Sequence, residues 1–239
     1  MEKVLVLDFG GQYNQLIARR VRDHHIYAEI LPYTTPLDTI RAGEYKGIIF
    51  TGGPNSVYDE QSPHYTPDIL SLGIPILGIC YGCQLISWMR AGKVETAPVS
   101  EYGKIDLSVC GQSPLFDGVP DQSVVWMSHT DYIAEPPAGF EVVAKTANCP
   151  CAAMQCPEQG LYAVQFHPEV THSAYGDKML ENFLYRVCDC HGDWQMDSFI
   201  EDTVAALREK IGDKQVILGL SGGVDSSCLL YTSPSPRDS

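Results

Sequence analysis

The sequence lacks any long apolar run. None of its apolar stretches reaches the roughly 18 consecutive residues that a membrane-spanning helix needs. The first one, Val4 to Leu7, is too short for a signal peptide and ends at Asp8. With 44% hydrophobic residues among 239, the chain can still bury a substantial core. We therefore expect a soluble, cytoplasmic protein with no membrane partner.

Positive charge is also scarce. The chain has 16 lysines and arginines against 30 aspartates and glutamates, which gives a formal net charge of −14. A nucleic-acid surface needs clustered lysine and arginine to neutralise phosphates. The charge balance therefore argues against a nucleic-acid partner, and we interpret the excess of acid as favouring solubility.

The cysteines lack the spacing of the common disulfide and zinc frameworks. There are nine of them, an odd number, in a chain too long for a disulfide-stapled mini-domain, so reduced thiols fit better. Two clusters lack the Cys-x2-Cys pairing that is usual in zinc sites. They are Cys149, Cys151 and Cys156, and Cys188, Cys190 and His191. We predict no metal site.

Short apolar strands alternate with helices in the first 90 residues. This alternation favours an α/β fold, with an open, mostly parallel sheet flanked by helices. Such sheets bind ligands at the carboxyl ends of their strands. The loops to watch are then Gly10-Gly11, Gly52-Gly53-Pro54 and Gly78 to Gly82. The predicted strands are Val4–Phe9, Tyr27–Leu31, Gly47–Thr51 and Ile74–Ile79, and the predicted helices are Gln12–Arg22 and Tyr81–Met89.

Between Lys93 and Gln165 the pattern changes to short β-like runs separated by Gly, Pro, Asp and Asn. We expect antiparallel strands added to the parallel core. Further along, a domain boundary is predicted near Cys190 to Asp193. The four runs are Ile105–Val109, Val124–Met127, Glu141–Lys145 and Leu161–Gln165; later elements are helices at Asp177–Cys188 and Ser198–Ile211 and a strand at Gln215–Leu220.

Gly78-Ile79-Cys80-Tyr81-Gly82 has the pattern of a nucleophile elbow with Cys in place of Ser. The small residues at either end allow a strained turn, and the helix that starts there favours the thiolate form of Cys80. The N–H of Tyr81 can point at a developing oxyanion. Two other interpretations stay open: a buried structural cysteine, and redox chemistry with Cys83, which lies three residues on.

His167-Pro168-Glu169 supplies the base that a cysteine hydrolase needs. Side chains alternate along an extended segment, so His167 and Glu169 can lie on one side, with Pro168 stiffening the link. Glu169 can then fix the imidazole tautomer. A lone histidine is more often an ordinary surface residue, but the elbow upstream favours the catalytic interpretation.

Taken together, these motifs resemble the class I (triad-type) glutamine amidotransferases, over roughly residues 1–230. The fold would be the flavodoxin-like fold of that family. The stretches that carry the resemblance are Val4–Gly10, Gln15–Arg22, Thr51–Val57, Gly78–Gly82, Met127-Ser128-His129 with Asp131, and Gln165–Val170.

The resemblance implies a role for each matching residue. Cys80 would attack the side-chain amide of glutamine, His167 would act as acid and base, and Glu169 would hold His167. The N–H groups of Gly53 and Tyr81 would form the oxyanion hole. Glutamine would be held by Gln84, with Ser128, His129 and Asp131 at the substrate side of the pocket. Glutamine hydrolysis itself would need no cofactor.

A second motif, Ser221-Gly222-Gly223-Val224-Asp225-Ser226-Ser227, follows the last predicted strand. It resembles the nucleotide loop of N-type ATP pyrophosphatases, because glycine N–H groups and hydroxyls at a helix start suit a pyrophosphate. The alternative is an ordinary Gly-Gly turn. An amidotransferase followed by this loop implies an enzyme that uses ATP and Mg²⁺ to aminate xanthosine monophosphate (XMP).

The resemblance stops near Leu230, and Tyr231 to Ser239 match nothing in the family. We expect an amidotransferase domain at 1–190, a linker and helix at 191–214, and the start of an ATP pyrophosphatase domain at 215–230. A non-native tail at 231–239 would complete a truncated chain, without a dimerisation region. Alternatives are an amidotransferase for another acceptor and a non-catalytic binding or regulatory fragment.

Overall fold

The computed structural model describes residues 1–217, Gly223 and Cys228, except for the side chains of residues 196–202. The chain divides into two compact units, Met1–Gln195 and Met196–Ser239. In the described part of the second unit, one helix, α5 (Met196–Ile211), is followed by residues 212–217 without regular structure. No helix of the described residues combines the length and apolar character needed to cross a membrane.

The first unit contains, among its described residues, one nine-stranded sheet. Its spatial order is β2-β1-β3-β4-β9-β8-β7-β5-β6, and the first five of these strands run parallel. The elements of the parallel half that come first in the chain are β1 (Lys3–Asp8), α1 (Asn14–Asp23), β2 (Tyr27–Pro32), α2 (Leu37–Ala42), β3 (Gly47–Phe50), β4 (Ile76–Ile79) and α3 (Tyr81–Met89).

Antiparallel strands extend the sheet beyond the parallel core, as the sequence predicted. The prediction that Leu161–Gln165 is one of the added antiparallel strands was wrong in part. The strand found there pairs in parallel with β4 and antiparallel with β8, so it joins the two halves. The elements are β5 (Lys93–Val109), β6 (Gln122–Glu135), β7 (Glu141–Lys145), β8 (Ala153–Cys156), β9 (Leu161–Val164) and α4 (Gly176–Asn182), the last continued by a π-helical turn at Phe183–Val187.

The core lies on both faces of the sheet. In β1, Val4 and Val6 pack into one buried cluster, and Leu5 and Leu7 pack into the other. Because successive side chains of a strand point to opposite faces, a strand covered on both sides needs an unbroken apolar run. This explains why the N-terminal run reads as apolar throughout.

The three glycine-rich loops lie against one another with their backbones in close contact. A Cβ on Gly11 would lie 2.5 Å from the Gly52 carbonyl oxygen, and one on Gly53 would lie 2.8 Å from Cγ of Tyr81. Such distances leave room for no side chain at either position. The loops that follow β1, β3 and β4 therefore form one surface at the carboxyl ends of the parallel strands.

Two short elements, α2 and β8, were not predicted. Of the predicted strand Gln215–Leu220, the structure describes residues 215–217, and they are not in a strand, so that part of the prediction was wrong. Val216 is 69% exposed and Ile217 is 96% exposed. No neighbouring strand among the described residues pairs with this segment, and a lone strand is not stable in water.

Candidate active site

Cys80 occupies a strained turn between β4 and α3. Its backbone has φ 53° and ψ −104°, which an ordinary side chain rarely adopts. The turn is held on both sides, since Cys80 N–H donates to the Val164 carbonyl at 2.9 Å and Gly82 N–H donates to the Thr51 carbonyl at 3.1 Å. Strain of this kind costs about 1–3 kcal/mol and persists where the surroundings enforce it. The sulfur is thereby fixed at the start of a helix.

His167 lies just beyond β9 and is anchored through its backbone. Its N–H donates to the Trp126 carbonyl at 3.0 Å, and its carbonyl accepts the Ser173 hydroxyl at 2.6 Å. Its ring Nδ1 lies 2.7 Å from Oε1 of Glu169, whose side chain is fully buried. Because a carboxylate only accepts, Nδ1 carries the proton and Nε2 is left for the sulfur of Cys80.

The environment of His167 favours its charged form. Burial lowers the pKa of His167, but hydrogen bonds with Cys80 and Glu169 outweigh burial and raise this pKa to about 11. A charged imidazole beside the sulfur stabilises a thiolate. The three side chains thus have the arrangement of nucleophile, base and orienting acid.

Two backbone N–H groups stand beside the nucleophile. Tyr81 is the first residue of α3, where helix N–H groups have no intrahelical partner. No hydrogen bond within the described chain uses the N–H of Gly53 or of Tyr81. The side chain of Tyr81 packs against Gly53, and both residues border the same cavity as Cys80. Both N–H groups are available to a developing negative charge on an oxygen.

A cavity of about 380 Å³ opens over the sulfur, which is large enough for an amino-acid side chain and its backbone. Every residue predicted for the pocket borders it, apart from Glu169, which lies behind His167. The lining residues are Gly10, Gly11, Gln12, Tyr13, Gly52, Gly53, Pro54, Asn55, Ser56, Cys80, Tyr81, Gln84, Tyr102, Ser128, His129, Thr130, Asp131 and His167.

Two of the predicted substrate residues already use their polar side-chain atoms in hydrogen bonds within the protein. The carboxylate of Asp131 already accepts the hydroxyls of Ser56, Tyr58 and Thr96. Both ring nitrogens of His129 are engaged, by the Asp131 carbonyl at 2.9 Å and by Glu101 at 3.3 Å. Asp131 and His129 therefore form part of the pocket wall, and their polar side-chain atoms are already hydrogen-bonded to the protein.

Sequence reasoning missed several residues around the site. Arg20 donates to the Glu169 carbonyl at 3.1 Å, Tyr13 packs edge-on against the His167 ring, and the buried Gln165 contacts the sulfur of Cys80 at 3.8 Å. Gln165 did leave a signal in the sequence, as a polar residue ending an apolar strand. Arg20 and Tyr13 are brought in by tertiary packing alone.

Among the described residues, Cys149 of the first cysteine cluster forms a group with Glu101 and His129, and these are residue types that can hold a metal ion. Glu101, His129 and Cys149 are all buried, and their ligand atoms lie within 4.8 Å of one another. The Thr146 hydroxyl donates to Glu101 at 2.7 Å, so the Glu101 carboxylate already has a hydrogen-bond partner within the protein.

Cys83 is wholly buried, and its side chain belongs to the core cluster on the other face of the sheet from that of Cys80. Burial raises the pKa of the Cys83 thiol well above its usual value. A buried, protonated thiol is inert, which disfavours the redox interpretation. Of the predicted nucleotide loop, only Gly223 is described; Ser221, Gly222, Val224, Asp225, Ser226 and Ser227 lie outside the described residues.

Comparison with known sequences agrees with this geometry. The family described as "Glutamine amidotransferase class-I" matches residues 5–187. Among curated proteins, "GMP synthase [glutamine-hydrolyzing]" of Ruminiclostridium cellulolyticum is 58% identical over 226 residues, and that of Clostridium botulinum is 59% identical over 224 residues. These matches cover 95% and 94% of this chain but only 44% of each relative, so the chain spans under half the length of the relatives it matches.

Solved structures agree as well. A candidate GMP synthase component from Thermoplasma acidophilum is 30% identical, with a TM-score of 0.69 over 85% of this chain and 98% of that one. A glutamine amidotransferase from Thermotoga maritima is 20% identical, with a TM-score of 0.59 over 97% of this chain and 89% of that one. The second match supports the fold alone.

Proposed function

The chain belongs to the class I glutamine amidotransferase family, and on that premise we propose that it hydrolyses glutamine to glutamate and ammonia. The observation that carries the proposal is the buried His167, which bonds Glu169 at 2.7 Å and borders the same cavity as the sulfur of Cys80. The cavity over Cys80 is large enough for glutamine and is open to solvent.

The first half of the reaction forms a thioester. The sulfur of Cys80 attacks the side-chain amide carbon of glutamine, and the carbonyl oxygen becomes an oxyanion that the N–H groups of Gly53 and Tyr81 stabilise. His167 gives its Nε2 proton to the amide nitrogen. The carbon–nitrogen bond then breaks, and ammonia leaves.

The second half regenerates the thiolate. His167, now neutral, takes a proton from water, and the resulting hydroxide attacks the thioester carbon. The carbon–sulfur bond breaks, glutamate leaves, and the proton stays on His167 beside the Cys80 thiolate. Glu169 keeps the ring in one tautomer and one orientation through both halves. In this mechanism Gln84 holds the bound glutamine, and Ser128, His129 and Asp131 form the wall beside it.

For the whole protein we propose GMP synthesis coupled to glutamine hydrolysis, which is what the names of the relatives say of those proteins. The ammonia released here would aminate XMP with ATP and Mg²⁺, as the sequence motifs imply. Identity of 58–59% over nearly all of this chain supports that assignment against another acceptor. Residues 221–227 would bind the pyrophosphate part of ATP. The glutamine chemistry itself needs none of these groups.

An electrophilic glutamine analogue, such as a diazoketone, tests the proposed site directly. The purified chain is treated with the analogue, and the adduct is located by mass spectrometry. We expect one adduct, on Cys80, which glutamine blocks and Cys80→Ala abolishes. Absent or scattered labelling over several cysteines would favour a non-catalytic fragment.

A second variant separates hydrolysis from redox chemistry. Cys83→Ala removes the partner thiol that a redox protein would need, while the glutamine pocket keeps all its lining residues. We expect labelling and ammonia release to persist in Cys83→Ala. Loss of both in a folded variant would favour the redox interpretation instead.

A further inference from the structure

Gln165 is a buried polar residue beside Cys80, and the mechanism above assigns it no role. It directly follows β9 and lies two residues before His167. Its side chain is inaccessible to solvent, and its backbone N–H donates to the Ala152 carbonyl at 2.8 Å. A buried amide side chain must find partners for its own donors and acceptor. Those partners determine which end of the amide faces the sulfur.

A chain of hydrogen bonds fixes the orientation of two amides. The Asp131 carbonyl can only accept, so the side-chain atom of Gln84 that lies 2.8 Å from it must be the nitrogen. This same nitrogen lies 3.2 Å from the Gln165 side chain, so the facing atom there must be the oxygen. The remaining end of the Gln165 amide, which lies 3.8 Å from Sγ of Cys80, is therefore the N–H donor.

The hydrogen bonds that the sulfur of Cys80 can make change when it ionises. As a thiol, Cys80 can donate to the Ser128 carbonyl, which lies 3.7 Å away. As a thiolate it can only accept, and donors aimed at it then stabilise the charged form. Gln165 offers such a donor from the side of β9, in addition to His167.

We infer that Gln165 is a further catalytic residue, which donates a hydrogen bond to the Cys80 thiolate and stabilises it before attack and on release from the thioester. This inference rests on the proposed function, since it assigns a donor to the same nucleophile. The alternative is that Gln165 only packs the site and holds Gln84.

The pH profile of Cys80 alkylation separates the two roles. Loss of a donor to the thiolate disfavours ionisation, whereas a substitution that keeps the size of the side chain leaves the burial of the sulfur unchanged. Iodoacetamide modification of Cys80 is followed by peptide mass spectrometry from pH 4 to 9, in the full chain. Gln165→Met keeps the size of the side chain but removes the donor. We expect the midpoint of the profile to rise by about one pH unit, and the rate below the midpoint to fall about tenfold.

Gln165→Glu gives a second, isosteric test if the methionine variant does not fold. It places an acceptor where the donor stood, so we expect its midpoint to rise at least as far. Gln155→Met is the matched control, because Gln155 is also buried in the sheet but donates to Gln112 and Glu141. Its profile should match that of the wild type.

Each result has a definite meaning. Unchanged midpoints in the folded Gln165 variants, or an equal shift in Gln155→Met, would overturn the role of Gln165 and leave the proposed function standing. If Cys80 of the wild-type chain shows no selective reaction with iodoacetamide or the glutamine analogue, both the proposed function and this inference fail.

Discussion

His167 and Glu169 form a buried hydrogen bond of 2.7 Å between Nδ1 and Oε1, across a single intervening proline. The second oxygen of Glu169, Oε2, is buried and has no hydrogen-bond partner among the described residues. The carboxylate therefore acts on the ring through one oxygen only. It sets the tautomer that presents Nε2 to the sulfur, and it stabilises the imidazolium that the reaction forms.

Glu169→Gln keeps the shape of this side chain but removes its charge. Because an amide can present its nitrogen to the ring and favour the wrong tautomer, we expect kcat for glutamine hydrolysis to fall by at least about 100-fold, with little change in KM. Ammonia release measures both constants. The exposed Glu158→Gln is the matched control and should behave as the wild type. A kcat within about threefold of the wild type would contradict the role of Glu169.

The same variant makes a prediction about protonation. Burial lowers the pKa of His167, and its hydrogen bonds with Cys80 and Glu169 raise this pKa to about 11. Without the Glu169 carboxylate one raising contribution is lost, so the ring should give up its proton at a lower pH. Nuclear magnetic resonance titration of the His167 ring in Glu169→Gln measures the shift. An unchanged or raised pKa would mean that Glu169 does not stabilise the imidazolium.

How far the sequence predicts the structure differs between local and long-range features. The helix Tyr81–Met89 and the strand Glu141–Lys145 have the predicted bounds, because an apolar run closed by glycine or charge is a local signal. Strand β8 was missed, since its four residues, Ala153–Cys156, are buried and show no alternation. The double pairing of β9 depends on neighbours far away in the chain.

The same limit holds for the site. Cys80, His167 and Glu169 were predicted because each belongs to a short motif with a chemical reason for its spacing. The contact of Glu101 with His129 joins residues 28 apart, and that of Thr146 with Glu101 joins residues 45 apart. No local pattern marks such pairs, because a buried polar residue looks like a surface residue until its partners are known.

Gly82 tests the close approach that shapes the nucleophile turn. A Cβ at this position would lie 2.5 Å from the Phe50 carbonyl oxygen and 2.6 Å from the Phe50 Cβ, both part of a buried strand. Alanine favours a helix by about 1 kcal/mol over glycine, but overpacking of a rigid core costs about 1–3 kcal/mol or more. We expect Gly82→Ala to be destabilised and to lose labelling at Cys80.

Gly103→Ala is the control for Gly82→Ala. Gly103 has φ +97°, and nothing lies within 4 Å of its added Cβ, so only backbone strain opposes the substitution. Urea unfolding of both variants gives the free energies. Equal stability of Gly82→Ala and the wild type, with Cys80 still labelled, would show that the turn can open without loss of function.

Thr146 makes hydrogen bonds to the buried group formed by Glu101, His129 and Cys149. Its hydroxyl donates to Oε1 of Glu101 at 2.7 Å and accepts the Cys149 N–H at 2.9 Å. Thr146→Val preserves the shape but leaves a buried carboxylate oxygen and a backbone N–H without this partner. An unsatisfied buried group costs about 1–3 kcal/mol, and more where it is charged. We therefore expect a loss of about 2–3 kcal/mol in the free energy of unfolding.

Thr130→Val distinguishes this loss from a general effect of threonine replacement. Thr130 is exposed on β6, and its hydroxyl bonds Tyr102 at the surface, so this variant should stay within about 0.5 kcal/mol of the wild type. Urea unfolding of the two variants side by side measures the difference. If Thr146→Val is as stable as Thr130→Val, a group other than Thr146 must satisfy the Glu101 carboxylate, since a buried charge that loses its donor cannot remain at no cost.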